Sequence, residues 1–245
     1  MKRGLGELAR GVADVIFPPA CVHCREKVPE GGEFRHLCER CAAQLDYVRP
    51  PHCSTCGHPF FGELEGERMC PHCEGLAPAF REGRTAVLSK GPARALVHEL
   101  KYHQGVHVVE DIAAIFRRSP HVLELARGAT LVPVPLHSRK RRERTFNQSE
   151  LIADCLAVAA GGGANVRRLL IRVVDTDSQT HHDRQTRRLN LKNAFALAPA
   201  TVISPAHPYL LVDDVFTTGS TLNSCALVLR RAGGLNLNVV TFGHG

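Results

Sequence analysis

Residues 209–221, YLLVDDVFTTGST, constrain this chain more than any other stretch. The apolar run Leu210, Leu211, Val212 reads as a buried strand. Two carboxylates, Asp213 and Asp214, stand at its carboxyl end. Thr217, Thr218, Gly219, Ser220 and Thr221 make a hydroxyl-rich turn, and a helical pattern begins at Leu222. Free N–H groups at a helix start attract anions, and a glycine there permits a tight turn and close approach. The acids upstream suit a vicinal diol or a divalent cation. Phosphate on one side and a diol on the other describe a ribose 5-phosphate. A strand ending in two aspartates also suits a nucleotide-triphosphate fold, but no GxxxxGK[ST] completes one. Capping by Thr217 or Thr218 is the plain structural alternative, and it needs neither two acids nor four hydroxyls around one glycine.

The amino-terminal third carries a second constraint. Four CxxC pairs, Cys21/Cys24, Cys38/Cys41, Cys53/Cys56 and Cys70/Cys73, repeat with a period of 32 residues. Each pair can place two sulfurs on one tetrahedral ion, and two pairs close a four-thiolate site. Cys21, Cys24, Cys38 and Cys41 then hold one zinc and Cys53, Cys56, Cys70 and Cys73 another; a crossed pairing has the same ligand count. Four thiolates leave no open position, so both zincs are expected to be structural. A redox reading would expect one CxxC beside a βαβ unit rather than four in tandem. His23, His52, His58 and His72 are expected to be solvated turn histidines. A net charge of +7 admits polyanions as partners without choosing among them.

Residues 1–20 lack a continuous apolar stretch, Glu7 and Asp14 interrupting it, which argues against a signal peptide. No run of eighteen apolar residues predicts a membrane span. Thiolate ligands in a reducing cytoplasm are therefore expected rather than disulfides. Leu5, Leu8, Val12, Val15 and Ile16 predict a helix ending before Pro18. The junction at residues 74–82 divides the chain into 1–78, a helix and double ribbon, and 79–245, a second domain.

Within 79–245, strands are predicted at 85–88, 130–134, 168–173 and 238–242. Helices are marked by Leu96, Val97 and Leu100, by Val109, Ile112, Ala113 and Phe116, by Leu151, Ile152, Cys155 and Leu156, and by Leu222, Cys225, Ala226 and Leu229. Their alternation implies a mostly parallel α/β sheet. Lys101 and Tyr102 near one helix end carry no assigned role. His137, Ser138, Arg139, Lys140, Arg141, Arg142 and Arg144 lie between a strand and a helix capped by Asn147, where α/β sheets bind ligands. Pyrophosphate and a nucleic-acid backbone are both candidate partners for this run. The polar residues 175–193, with Gln179, Arg184, Arg187, Arg188 and Asn190, suit a loop over an active site.

Residues 209–221 resemble the phosphoribosyl-pyrophosphate (PRPP) signature of type I phosphoribosyltransferases. The order VPVPLHSRKRRERTFNQSE, QTHHDRQTRRLNLKNAF, LLVDDVFTTGST, preceded by cysteine ribbons and Leu100-Lys101-Tyr102, resembles the ComF family, including ComFC. Thr145 stands where that family commonly has glycine. The resemblance implies a type I phosphoribosyltransferase-like parallel sheet flanked by helices behind a small double zinc ribbon. It further implies that Asp213 and Asp214 hold ribose hydroxyls and Thr217–Thr221 the 5-phosphate of PRPP, with Mg²⁺. A role in DNA uptake during natural transformation is implied too, handling single-stranded DNA alongside a helicase-like partner. The alternative is an Mg-dependent phosphoribosyltransferase acting on an acceptor that no segment identifies.

Overall fold

A computed structural model of the chain describes residues 18–60, 70–102, 105–136, 146–173 and 194–245. The helix expected before Pro18, the basic run His137, Ser138, Arg139, Lys140, Arg141, Arg142 and Arg144, and the polar arm 175–193 lie outside those residues.

Along the chain come a one-turn helix α1 (Glu39–Ala42), strand β1 (Gly83–Leu88), helices α2 (Gly91–Tyr102), α3 (Val109–Arg117) and α4 (Pro120–Ala126), and strand β2 (Thr130–Pro133). Helix α5 (Gln148–Ala159), strands β3 (Asn165–Val166), β4 (Leu170–Arg172), β5 (Phe195–Leu197) and β6 (Tyr209–Phe216), helix α6 (Ser220–Arg231) and strand β7 (Leu237–His244) complete the order. Five strands form one sheet in the order β1-β7-β6-β2-β3, every described neighbour pair parallel. Strands β4 and β5 pair antiparallel apart from it. The α/β class and parallel sheet are as expected from the alternation of elements. Helix α4, β3 and β5 are additions: all are short, and β3 is two residues long.

Strand β6 lies at the centre of the sheet and is apolar on both faces. Leu210 and Val212 enter one core, with α2, α3, α4 and α5; Tyr209 and Leu211 enter the other, with α6. This is the period-2 alternation of a strand covered on both sides. In the first core Phe116 and Phe242 are fully buried and meet edge to face at 5.8 Å. Burial of such a ring is worth roughly 1.5–3 kcal/mol.

The ribbons divide between the two cores. Cys21, Leu37 and Cys41 join the first; Cys53, Cys56, Cys70, Cys73 and Leu76 join the second. The buried carboxylate of Asp111 on α3 accepts the backbone N–H groups of Arg35 at 2.9 Å and His36 at 2.8 Å, clipping the first ribbon to that helix. Burial raises its pKa. The segment joining the ribbons runs along the outer side of β1. Val48 N–H donates to the Ala86 carbonyl, Leu88 N–H to that of Asp46, and Tyr47 bridges Val87 antiparallel.

Candidate functional site

The strand expected to stop at Val212 continues through both acids to Phe216, because β7 runs beside it to His244 and supplies partners for the backbone. Asp213 and Asp214 therefore sit inside the ladder, and consecutive strand residues point to opposite faces. Their carboxylates go to different partners. Asp214, only 6% exposed, receives Lys101 Nζ of α2 on Oδ2 at 2.9 Å. Asp213 Oδ1 accepts the Ser149 hydroxyl of α5 at 2.8 Å and the Asp214 N–H at 2.9 Å. Burial, and then the neighbouring charge of Asp214, push the Asp213 carboxyl up to about 7; its two hydrogen bonds act against this. Two adjacent acids with one ammonium leave a site short of positive charge, suited to hydroxyl donors or a divalent cation.

The turn after β6 is shaped by Gly219, at φ 67° and ψ 0°. A Cβ there would lie 2.5 Å from Phe216 Cζ and 3.0 Å from Leu76 Cδ2. The residue must be glycine for conformation and for space alike. Gly219 is also the N-cap of α6, so no side chain caps this helix. Thr218 Oγ1 meets Ser220 Oγ at 2.9 Å and the Ser220 N–H at 3.4 Å, while Thr217 is exposed. The structure thus gathers Thr217, Thr218, Gly219, Ser220 and Thr221 around a helix start whose first amides lack intrahelical acceptors.

Helix α5 delivers Ser149. Asn147 is the expected cap: its Oδ1 accepts the Ser149 N–H at 3.2 Å and its Nδ2 donates to the Val134 carbonyl at 2.9 Å. Glu150 does not close a capping box; it pairs with Arg168 at 2.7 Å. A cleft of about 290 Å³ opens beside this turn, lined by Pro133, Asn147, Glu150, Arg168 and Arg172 among others. Larger cavities of about 440 and 520 Å³ run along residues 29–34 of the first ribbon, remote in sequence and fold from the acids.

The eight ribbon cysteines gather in sequence order, not crossed. The sulfurs of Cys21, Cys24, Cys38 and Cys41 lie within 4.8 Å of one another, as do those of Cys53, Cys56, Cys70 and Cys73. Sulfur–sulfur separations of 3.6 Å (Cys24–Cys38), 3.9 Å (Cys53–Cys73), 3.3 Å (Cys56–Cys70) and 3.8 Å (Cys70–Cys73) bracket the roughly 3.8 Å between thiolates around a tetrahedral zinc. All but Cys24 are buried. Each set therefore fits one structural zinc, four thiolates and no open position.

Three residues gain a place here that the sequence did not give them. Lys101 pairs with an acid 113 positions away, and nothing beside it in the helix end His98-Glu99-Leu100-Lys101-Tyr102 points to that partner. Ser149 follows a cap residue, which marks the helix start but not the acid it meets. His244 Nε2 lies 3.3 Å from Cys56 Sγ, and its ring stacks on Phe216 at 5.3 Å and 17°. His58 and His72 are half-buried rather than solvated; their rings lie 4.8 and 4.9 Å from that of His244. Cys155 is the core residue expected, its thiol donating to the Val109 carbonyl at 3.2 Å.

Comparison with known proteins places this arrangement. The double zinc ribbon domain family matches residues 12–74. A hypoxanthine phosphoribosyltransferase from Staphylococcus aureus overlaps 54% of the chain and 62% of its own, at 16% identity and a TM-score of 0.36. Competence protein F of Haemophilus influenzae is 29% identical over 225 residues, covering 89% of this chain and 93% of that one. The DNA utilization protein YhgH of Salmonella typhimurium is 30% identical over 229 residues, covering 92% and 96%. With two four-cysteine ribbons leading into a helix-flanked parallel sheet and relatives that match along nearly their whole length, the chain belongs to the ComF family.

Proposed function

We propose that this chain is a competence-type cytoplasmic protein whose carboxyl-terminal domain, residues 79–245, binds PRPP or a related ribose phosphate. One observation carries the reading: Gly219 opens α6 with no side-chain cap, directly after a strand that presents Asp213 and Asp214. The amides and hydroxyls of Thr217, Thr218, Gly219, Ser220 and Thr221 would hold the 5-phosphate. Asp213 and Asp214 would accept the ribose hydroxyls, with Ser149 and Lys101 fixing their orientation. Mg²⁺ would enter with the pyrophosphate and offset its charge. The two zincs keep the ribbon module, residues 1–78, folded.

The names of the relatives, a competence protein and a DNA utilization protein, support a role in DNA uptake. With a net charge of +7, single-stranded DNA suits the basic run from His137 to Arg144, and a helicase-like protein is the partner such a role requires. Thermal stabilisation by PRPP plus Mg²⁺ tests the sugar-phosphate site. The expected result is a shift in the wild-type protein that disappears in Asp213→Asn/Asp214→Asn, and no shift in either would refute it. For the DNA role, neutralising Arg139, Lys140, Arg141 and Arg142 should weaken single-strand binding and flatten its salt dependence by about one unit of slope per lost phosphate contact.

The cleft at Asn147 and Arg172 favours a second reading, a phosphoribosyltransferase with room for an acceptor. A nucleophile would form a bond to the anomeric carbon while the bond to pyrophosphate breaks and its electron pair leaves with that group. The oxocarbenium-like transition state would depend on positioning and nearby negative charge rather than on a strong base. Pyrophosphate release from PRPP in the presence of candidate bases or amines distinguishes turnover from binding alone.

A further inference from the structure

We infer that the second four-cysteine site sets the shape of the sugar-phosphate loop, so that zinc there and a phosphoribosyl ligand at Thr217–Thr221 bind cooperatively, with Phe216 and His244 as positioning residues. This rests on the reading of that loop as a ribose-phosphate site.

Two routes run from the cysteines to Gly219. On the first, a zinc-bound Cys56 thiolate can only accept, so His244 Nε2–H donates to it across 3.3 Å. The imidazole, buried at 3% exposure, stacks on Phe216 at 5.3 Å and 17°. The far end of that phenyl ring occupies the space beside Gly219, 2.5 Å from where a Cβ would stand. On the second, the Cys73 carbonyl accepts the Leu76 N–H at 2.9 Å, and Leu76 Cδ2 approaches the same point to 3.0 Å. Just beyond, the first turn of α6 is clasped: Asn223 Oδ1 accepts the Ala79 N–H at 2.7 Å and its Nδ2 donates to the Ala77 carbonyl at 3.0 Å. Two chains of contact thus run from zinc-ligating cysteines to the glycine. A structural zinc supplies much of the folding energy of so small a module, and without it nothing ties the four sulfurs together. Losing the metal moves Phe216 and Leu76, and with them the left-handed turn that aims the amides of α6. The first site reaches α3 and the edge of β1 instead, and serves as the internal control.

Coupling of this kind is reciprocal: whatever factor zinc adds to ligand affinity, the ligand adds to zinc affinity. Full-length, zinc-loaded protein is challenged with a chromogenic chelator, with and without PRPP plus Mg²⁺. Two release phases are expected, one slowed roughly tenfold by PRPP. The slowed phase is absent from Cys53→Ser/Cys56→Ser and present in Cys21→Ser/Cys24→Ser. Should the cysteine variants fail to fold, His244→Ala and Phe216→Leu are expected to keep both zincs, to bind PRPP more weakly and to lose the protection. Calorimetry on the same samples separates the two ways to fail. PRPP that binds but slows neither phase, or slows both alike, overturns the coupling alone. PRPP that does not bind overturns the ribose-phosphate reading and the coupling with it.

Discussion

In the first ribbon Cys21 N–H donates to Glu26 O, Arg25 N–H to Cys21 O and Val28 N–H to Pro19 O. The same bonds recur 32 positions on, from Cys53 to His58, from Gly57 to Cys53 and from Phe60 to Pro51. The bridge Ala20–Lys27 likewise returns as His52–Pro59. Both knuckles need a left-handed residue after the second cysteine, and they fill it differently: Arg25 at φ 66°, Gly57 at φ 75°. Surroundings explain the difference. A Cβ on Gly57 would lie 2.5 Å from the Thr85 amide nitrogen, because β1 is laid directly on that knuckle and Thr85 Oγ1 donates to the Cys56 carbonyl at 3.0 Å. Arg25 is exposed, outside such a constraint. One fold unit has been duplicated; one copy clamps the sheet from outside, and the other is built into the floor of the candidate site.

The comparison can be tested from its largest consequence downward. Replacing Cys53 and Cys56 by serine should remove one of about two zincs, cost ~3 kcal/mol or more in urea unfolding and abolish the PRPP-induced thermal shift. The matching change at Cys21 and Cys24 should remove one zinc and leave ligand response in whatever folded protein remains. Equal loss of ligand response in both would mean the ribbons are not used differently. Next, Gly57→Ala should cost about 3 kcal/mol, since both its conformation and a backbone contact oppose a side chain.

Lys101→Ala leaves the Asp214 carboxylate without its ammonium. The lysine side chain is 22% exposed, so a cost of about 2 kcal/mol is expected, below that of breaking a fully buried pair. Lys101→Arg should recover part of it. A pH profile addresses Asp213. Folding favours its protonated form, so this group costs stability as pH rises from the ordinary carboxylate range through about 7. Ligands that need the carboxylate ionised, whether sugar hydroxyls or a cation, should bind about tenfold more weakly at about pH 6 than at about pH 8, and Asp213→Asn should flatten that dependence. Smallest of all, Arg25→Gly should change stability by less than about 1 kcal/mol, because a glycine relieves the left-handed backbone but gains freedom in the unfolded chain.

Much of this molecule is legible in its residues. The cysteine period gave two metal sites because ligand spacing is local, and the inner faces of α2, α5 and α6 followed from helical periodicity. Gly219 between hydroxyls marked the turn for the same reason. What escaped was tertiary. Nothing near Lys101 indicates Asp214, and nothing near His244 indicates Cys56, since each contact is made only when the sheet closes. The apolar run ends at Val212 and so sets the acids after the strand; the ladder continues because its partner strand does. Strand β5 is too short to leave a periodic signal, three residues after a long polar stretch.

The bridge between Tyr47 and Val87 bears on how this protein can be taken apart. A parallel sheet whose outermost strand is left uncovered offers a row of open amides and carbonyls to any other chain that presents one. Here residues 46–48 occupy that row on β1. A fragment beginning after the ribbons would keep the acids and the glycine turn but bare the edge of Gly83–Leu88, and it should pair with copies of itself and aggregate. Dissection is therefore better done by point substitution in the intact chain than by truncation.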